Sequence, residues 1–118
     1  MNAVTTQASG DVVTLYRVMC EREFQALMAS GRFSARRGCL ERVKWFAESI
    51  DHALMWGQWF ERVDGTPHRR IVKIEVAREL ADRMQRQPRM DGIGPARCAR
   101  ISQLQGLLPQ EVPHEPDH

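Results

Sequence analysis

Several features are scarce in this chain, and each scarcity excludes something. The three cysteines, Cys20, Cys39 and Cys98, stand far apart and form no CxxC pair. An odd number at that spacing is neither a disulfide framework nor a cysteine-rich zinc site. They read as reduced thiols in a reducing compartment. No apolar run approaches the roughly 20 residues that a membrane-spanning helix needs. The opening MNAVTTQASGD lacks a basic start followed by an apolar stretch, so it does not read as a signal peptide. Neither sign of charge dominates. Seventeen basic residues face 15 acidic ones, a net charge of +2. That balance argues against a strong non-specific nucleic-acid binder, while leaving room for a local basic patch. The histidines of the tail are too isolated to suggest a metal site.

What is present suits one globular domain. The chain has 118 residues, enough to bury a core without staples. Residues 1–11 are small and polar and are expected to fray. Residues 12–108 read as the single domain. The proline-rich tail 109–118 is expected to be disordered.

Periodicity supplies the elements. VVTLYRVM predicts a strand over Val13–Met19, with Leu15 and Arg17 on one face and Tyr16 and Val18 on the other. EREFQALMAS predicts a helix over Glu21–Ser30, with Phe24, Leu27 and Met28 inward and Gly31 as its stop. SARRGCLE, Ser34–Glu41, reads as a basic loop whose Arg36 and Arg37 are candidates for phosphate contact. VKWFAE is a short strand, with Val43, Trp45 and Ala47 opposite Lys44, Phe46 and Glu48. A helix follows, with Ser49 as its N-cap and Asp51 in its first turn. Its apolar face holds Ile50, Ala53, Leu54, Gly57 and either Met55 or Trp56. After a turn at Asp64–His68, RRIVKIEVA is the clearest strand. It sets Val72, Ile74 and Val76 against Ile71, Lys73 and Glu75. A short helix with Leu80, Ala81 and Met84 inward is expected to stop at Pro88. DGIGP, Asp91–Pro95, reads as a turn, and a last strand is expected over Arg100–Leu107. The class is α+β, with a small twisted mixed sheet and two or three short helices.

Three features stand out for chemistry: an arginine inside the first strand in LYRVM, a serine closing WFAES ahead of a helix, and polar side chains in ISQLQG. Together they resemble the ADP-ribosyltransferase-like fold, and in particular the small toxin domains of bacterial polymorphic and secreted effectors. The likeness runs over about Leu15 to Leu108. It implies NAD as co-substrate and transfer of ADP-ribose to a macromolecular acceptor, protein or nucleic acid. By that resemblance the catalytic set is Arg17, Ser49 and Gln103. The cofactor-binding set is Arg17, Trp45, Phe46, Ser49 and His52, with Trp56 one turn further along the same wall. Arg17 would hold pyrophosphate or ribose, since a guanidinium fork suits phosphate oxygens. Ser49 would shape the nicotinamide-ribose site, and an aromatic ring would pack on nicotinamide. The resemblance also implies an immunity or antitoxin partner, and neither a metal nor a membrane. Its setting would be the bacterial cytoplasm, or a target cell reached without a signal peptide.

The chain departs from this pattern at one point. Active members carry a glutamate on or before the last strand, where this chain has Gln103 and Gln105. Two carboxylates that could be considered instead, Glu75 and Asp91, lie on an earlier strand and on the glycine-rich turn. Plainer roles stand beside the chemical ones. Arg17 has Glu23, Glu48 and Glu75 as candidate ion-pair partners, Ser49 caps a helix in any case, and Cys98 is an inert thiol. Three functions therefore stay open: an NAD-using transferase, a catalytically silent binding protein on the same fold, and an interaction or antitoxin-like module. In the last, Trp59 and Phe60 would form a sticky surface.

Overall fold

The computed structural model describes residues 11–34 and 43–113. The basic loop after Ser34, with Cys39, as well as most of the expected N-terminal fray and the last five residues of the tail, lie outside the described residues.

The first six elements match or nearly match the expected alternation, and the four that follow do not. In order they are β1 (Val12–Met19), α1 (Glu21–Ser30), β2 (Val43–Ala47), α2 (Ile50–Asp64), β3 (Arg70–Ala77), α3 (Arg78–Arg83), β4 (Gln85–Met90), β5 (Gly94–Arg100), a 3-10 turn (Ile101–Leu104) and β6 (Gln110–Glu111). The class is α+β, with three helices and one six-stranded sheet ordered β4-β5-β2-β1-β3-β6. Every pairing is antiparallel, so the expected mixed sheet is corrected. The reason was visible in β3, whose Lys73 and Glu75 alternate with apolar residues. A parallel strand covered on both faces reads as a continuous apolar run instead.

The sheet divides into two blocks. β1 and β3 run in register over their full length, from Val12↔Ala77 to Met19↔Arg70. β2 and β5 do the same from Val43↔Arg100 to Ala47↔Ala96. Between the blocks, β1 and β2 share one register pair, Tyr16↔Ala47. Helices cover both faces. On one, Phe24 and Leu27 of α1 and Ala81 of α3 join Leu15, Phe46, Val72, Ile74 and Val76 in the larger core. Phe33 meets Phe46 edge to face there, with ring centroids 5.7 Å apart. On the other, Ala53 and Trp56 of α2 cover Val18, Ala47, Ile71 and Ala96. Trp56 rather than Met55 is therefore the inward residue of α2, and Met28, expected inward on α1, is exposed.

The largest departure is β4–β5. The helix expected to reach Pro88 ends at Arg83, and the strand expected over Arg100–Leu107 is replaced by β5 at Gly94–Arg100 and a 3-10 turn at Ile101–Leu104. Asp91 and Gly92 both have positive φ, 56° and 74°, and Ile93 N–H donates to the Met90 carbonyl at 2.9 Å. Positive φ at both central residues makes Met90–Ile93 a type I′ turn, for which Asp-Gly is the sequence signal, and the ladder resumes at Met90↔Gly94, so three residues join the strands. Pro88 is accommodated because β4 is the outer strand. The tail is also corrected. Gln110 and Glu111 pair with β3, and Val112 N–H donates to the Ile71 carbonyl at 2.8 Å. Asp11, expected to fray, accepts a backbone bond from Arg78.

Gly57 shows how closely α2 is crossed by the chain that follows it. A Cβ there would lie 2.5 Å from the His68 carbonyl oxygen and 3.2 Å from Val18 Cγ2. Ala is the better helix former by about 1 kcal/mol, yet the backbone carbonyl leaves it no room. Gly57→Ala is expected to destabilise the fold by about 1–3 kcal/mol through overpacking. Urea unfolding measures this, and an unchanged or raised midpoint would refute the close approach.

Candidate functional site

The blocks part on one side of the Tyr16–Ala47 pair. Continuing that register would set Arg17 opposite Phe46 and Val18 opposite Trp45, but those pairs are not made. The gap opens into a cleft of about 210 Å³ whose walls include Tyr16, Arg17, Trp45, Trp56, Phe60 and Asp91. Both blocks and α2 contribute to it, so it exists only in the folded domain.

Arg17 spans the gap. Its Nε and Nη2 donate to the two Glu23 carboxylate oxygens at 2.7 and 3.1 Å. Its Nη1 donates to the Trp45 carbonyl at 3.1 Å. A strand carbonyl left without its ladder partner needs another donor, and the guanidinium supplies one. Lys44 Nζ lies 3.5 Å from Glu23 Oε2. The cluster is largely but not fully buried, with Arg17 at 20% and Glu23 at 25% side-chain exposure. Burial pushes the Glu23 carboxyl up. The Arg17 charge and hydrogen bonds, with Lys44, outweigh it and hold the group below the usual carboxylate value.

A second polar group belongs to the hairpin turn. Trp56 Nε1 donates to Asp91 Oδ2 at 3.0 Å. This bond joins α2 to the β4–β5 turn and fixes a carboxylate among the cleft's lining residues. Phe60 lines the same cleft and stacks on His68, with centroids 4.6 Å apart, while Trp59 meets it edge-on. Phe60 is thus a cleft wall and an internal contact, not simply outward surface.

Outside the cleft, a separate ionic group braces the second block. Glu48 receives Arg86 Nε and Arg97 Nε, each at 2.8 Å, and Arg97 Nη1 donates to the Ala81 carbonyl. The Arg86 hydrogen bond, opposed by burial and reinforced by Arg97, holds the Glu48 carboxyl below its usual value.

Of the residues suggested by sequence, the structure brings Arg17, Trp45 and Trp56 to the cleft. Phe46 points to the opposite sheet face, 1% exposed in the larger core, and so cannot pack on a cleft ligand. The alternation of β2 already placed it opposite Trp45. Ser49 Oγ accepts from His52 N–H at 3.2 Å, capping α2, and does not line the cleft. The His52 ring lies against Gly94, where a Cβ would come within 2.7 Å of it, and Nδ1 is buried without a hydrogen-bond partner among the described residues. Gln103 sits on the 3-10 turn, its Oε1 accepting from Arg100 N–H at 2.9 Å. Arg17, Ser49 and Gln103 therefore do not meet in this cleft. Tyr16 and Asp91 do line it. The signal for Asp91 was the Asp-Gly turn, which makes a hairpin and so returns the chain beside β2.

Among the described residues no group of three or more His, Cys, Asp or Glu is placed to hold a metal ion, and no helix is long and apolar enough to cross a membrane. Comparison with known protein families, characterised proteins and solved structures finds no match to this chain.

The Glu23 cluster sets a pH dependence. Its folded-state value lies below the unfolded value of about 4.3. Its stabilisation is therefore present above that pH and lost as pH falls through the folded value. Glu23→Gln is expected to cost about 1–3 kcal/mol at pH 7, between a surface and a buried pair. Urea titrations at pH 7 and below 4 should show the gap to the parent protein narrowing; a gap independent of pH would refute the assignment.

Proposed function

We propose that the cleft between β1 and β2 binds a phosphate-bearing nucleotide of the NAD class. The observation that carries this reading is a guanidinium beside a concave, aromatic-lined site. Tyr16, Trp45, Trp56 and Phe60 offer ring faces and edges for a planar heterocycle. Arg17 offers charge-assisted donors for a phosphate. Sites for whole drug-sized ligands run to about 300–1,000 Å³, so this smaller cleft suits the nicotinamide-ribose half. The adenosine half would then lie across the mouth. Binding without turnover needs nothing more, and it fits a domain in which Ser49 and Gln103 stand apart from Arg17.

A second reading, ADP-ribosyl transfer to a macromolecule, is favoured by Asp91. Cleaving the nicotinamide–ribose bond builds positive charge on the sugar, and a nearby carboxylate stabilises it. The chain has no glutamate at the position the resemblance calls for, but Asp91 brings an acid to the cleft. Only its Oδ2 is engaged by Trp56, which leaves Oδ1 for a ribose hydroxyl. In this reading Asp91 takes the place first given to Gln103. The acceptor would be a protein or nucleic acid, with an immunity protein as the further partner that such an activity implies.

Calorimetry with NAD and ADP-ribose, alongside an assay of NAD consumption, tests both readings. Arg17→Ala is expected to weaken ADP-ribose binding about ten- to a hundredfold, the worth of a charged hydrogen-bonded contact. Asp91→Asn is expected to keep binding and, if the domain turns NAD over, to abolish turnover. Failure of the parent protein to bind either compound overturns the nucleotide reading. Turnover that survives Asp91→Asn overturns the role of Asp91.

A further inference from the structure

We infer that Glu23 is the positioning residue of the cleft, a clasp that fixes the Arg17 fork and holds the two sheet blocks together. Its effect on the cleft itself stands alone, and its effect on a ligand rests on the nucleotide reading above. The inference begins from the seam. Backbone pairing between β1 and β2 is confined to Tyr16↔Ala47. On the cleft side of that pair the strands are tied by side chains. Arg17 reaches from β1 to the Trp45 carbonyl on β2. Glu23 holds Arg17 through both oxygens and lies near Lys44 of β2. One carboxylate therefore faces cations from both sides of the opening.

The arm that carries this carboxylate is stiff. Glu23 lies in the first turn of α1, which begins two residues after β1 ends. Phe24 and Leu27 anchor that helix in the larger core. The carboxylate is thus aimed by packing, and it in turn aims the guanidinium. Donor accounting shows what is left for a ligand. A guanidinium has five N–H groups. Glu23 takes those of Nε and one on Nη2, and the Trp45 carbonyl takes one on Nη1. One N–H on each terminal nitrogen remains. Glu23 spends one edge of the fork and so decides where the remaining donors point. Without it the guanidinium can rotate, and the opening loses the anion between Arg17 and Lys44.

The full chain labelled with 5-fluorotryptophan reads the clasp without any ligand. Its three tryptophans, Trp45, Trp56 and Trp59, give three fluorine resonances. In Glu23→Gln the Trp45 resonance is expected to shift, and its H₂O/D₂O isotope shift to rise towards that of free fluorotryptophan, while Trp59 stays in place. Glu23→Asp keeps the charge on a shorter arm and covers the case in which the amide variant fails to fold; it is expected to shift Trp45 in the same direction. A Trp45 resonance unchanged in a folded variant overturns the clasp. The ligand arm separates positioning from general loosening. ADP-ribose affinity is expected to fall about tenfold or more in the variants, while that of uncharged nicotinamide riboside, which has no phosphate for Arg17, is expected to hold. Equal losses for both ligands overturn the positioning role. If the parent protein binds neither ligand, the nucleotide reading fails and the fluorine result still decides the clasp.

Discussion

The structure depends on how two blocks of sheet are joined where their backbones hardly meet. β3, β1 and β6 form one block, and β2, β5 and β4 the other. A full ladder would have closed the sheet and left no cleft. One register pair keeps the blocks adjacent, and side chains do the rest. The Arg17–Glu23–Lys44 cluster ties them on one side. On the other, α2 lies across both, setting Gly57 against Val18 of β1 and His52 against Gly94 of β5. The bond from Trp56 to Asp91 extends that bridge to the hairpin turn. Glu48 does for the second block what Glu23 does for the seam, gathering Arg86 and Arg97 from neighbouring strands.

The polar side chains of the seam have a structural role that leaves room for a chemical one. A buried charge pair gains little net stability over apolar packing, but breaking one partner is costly. That asymmetry accounts for why an Arg17–Glu23 pair is compatible with a site and does not argue against one. Three donors hold the fork, and two remain. Arg17 also lines a concave region and not a flat face, where an ion pair alone would explain the arginine.

Much of the fold was legible in the sequence, for physical reasons. β1, α1, α2 and β3 have strong periodicity and recognisable ends: acidic residues in the first turn of α1, Ser49 before α2, and Gly31 after α1. β4 and β5 lacked that signal. QRQPRM has no apolar alternation and carries a proline, which an outer strand tolerates. In GPARCAR, Gly94 is small because it must admit the His52 ring, and Ala96 and Ala99 are fully buried under the two faces of the sheet. Smallness demanded by close packing looks like a turn when only composition is visible. The site was legible in part. Strand parity separates Trp45 from Phe46, and Arg17 was singled out as an arginine inside a strand. That Arg17 and Asp91 line one cleft was not legible, because it follows from the hairpin and from the strand order β5-β2-β1, which no local pattern encodes.

The Asp91–Gly92 turn has a further consequence, for the entropy of assembling the sheet. β4 and β5 meet across three residues, Asp91 to Ile93, whereas Met19 and Arg70, the near ends of β1 and β3, are separated by about 50. Loop closure costs about 0.6 kcal/mol per doubling of length, so the longer closure, about four doublings on, carries about 2.4 kcal/mol more. The hairpin is therefore the part of the sheet that chain entropy opposes least. The carboxylate at its tip is placed by local geometry, while the guanidinium it shares the cleft with waits on contacts from across the whole chain.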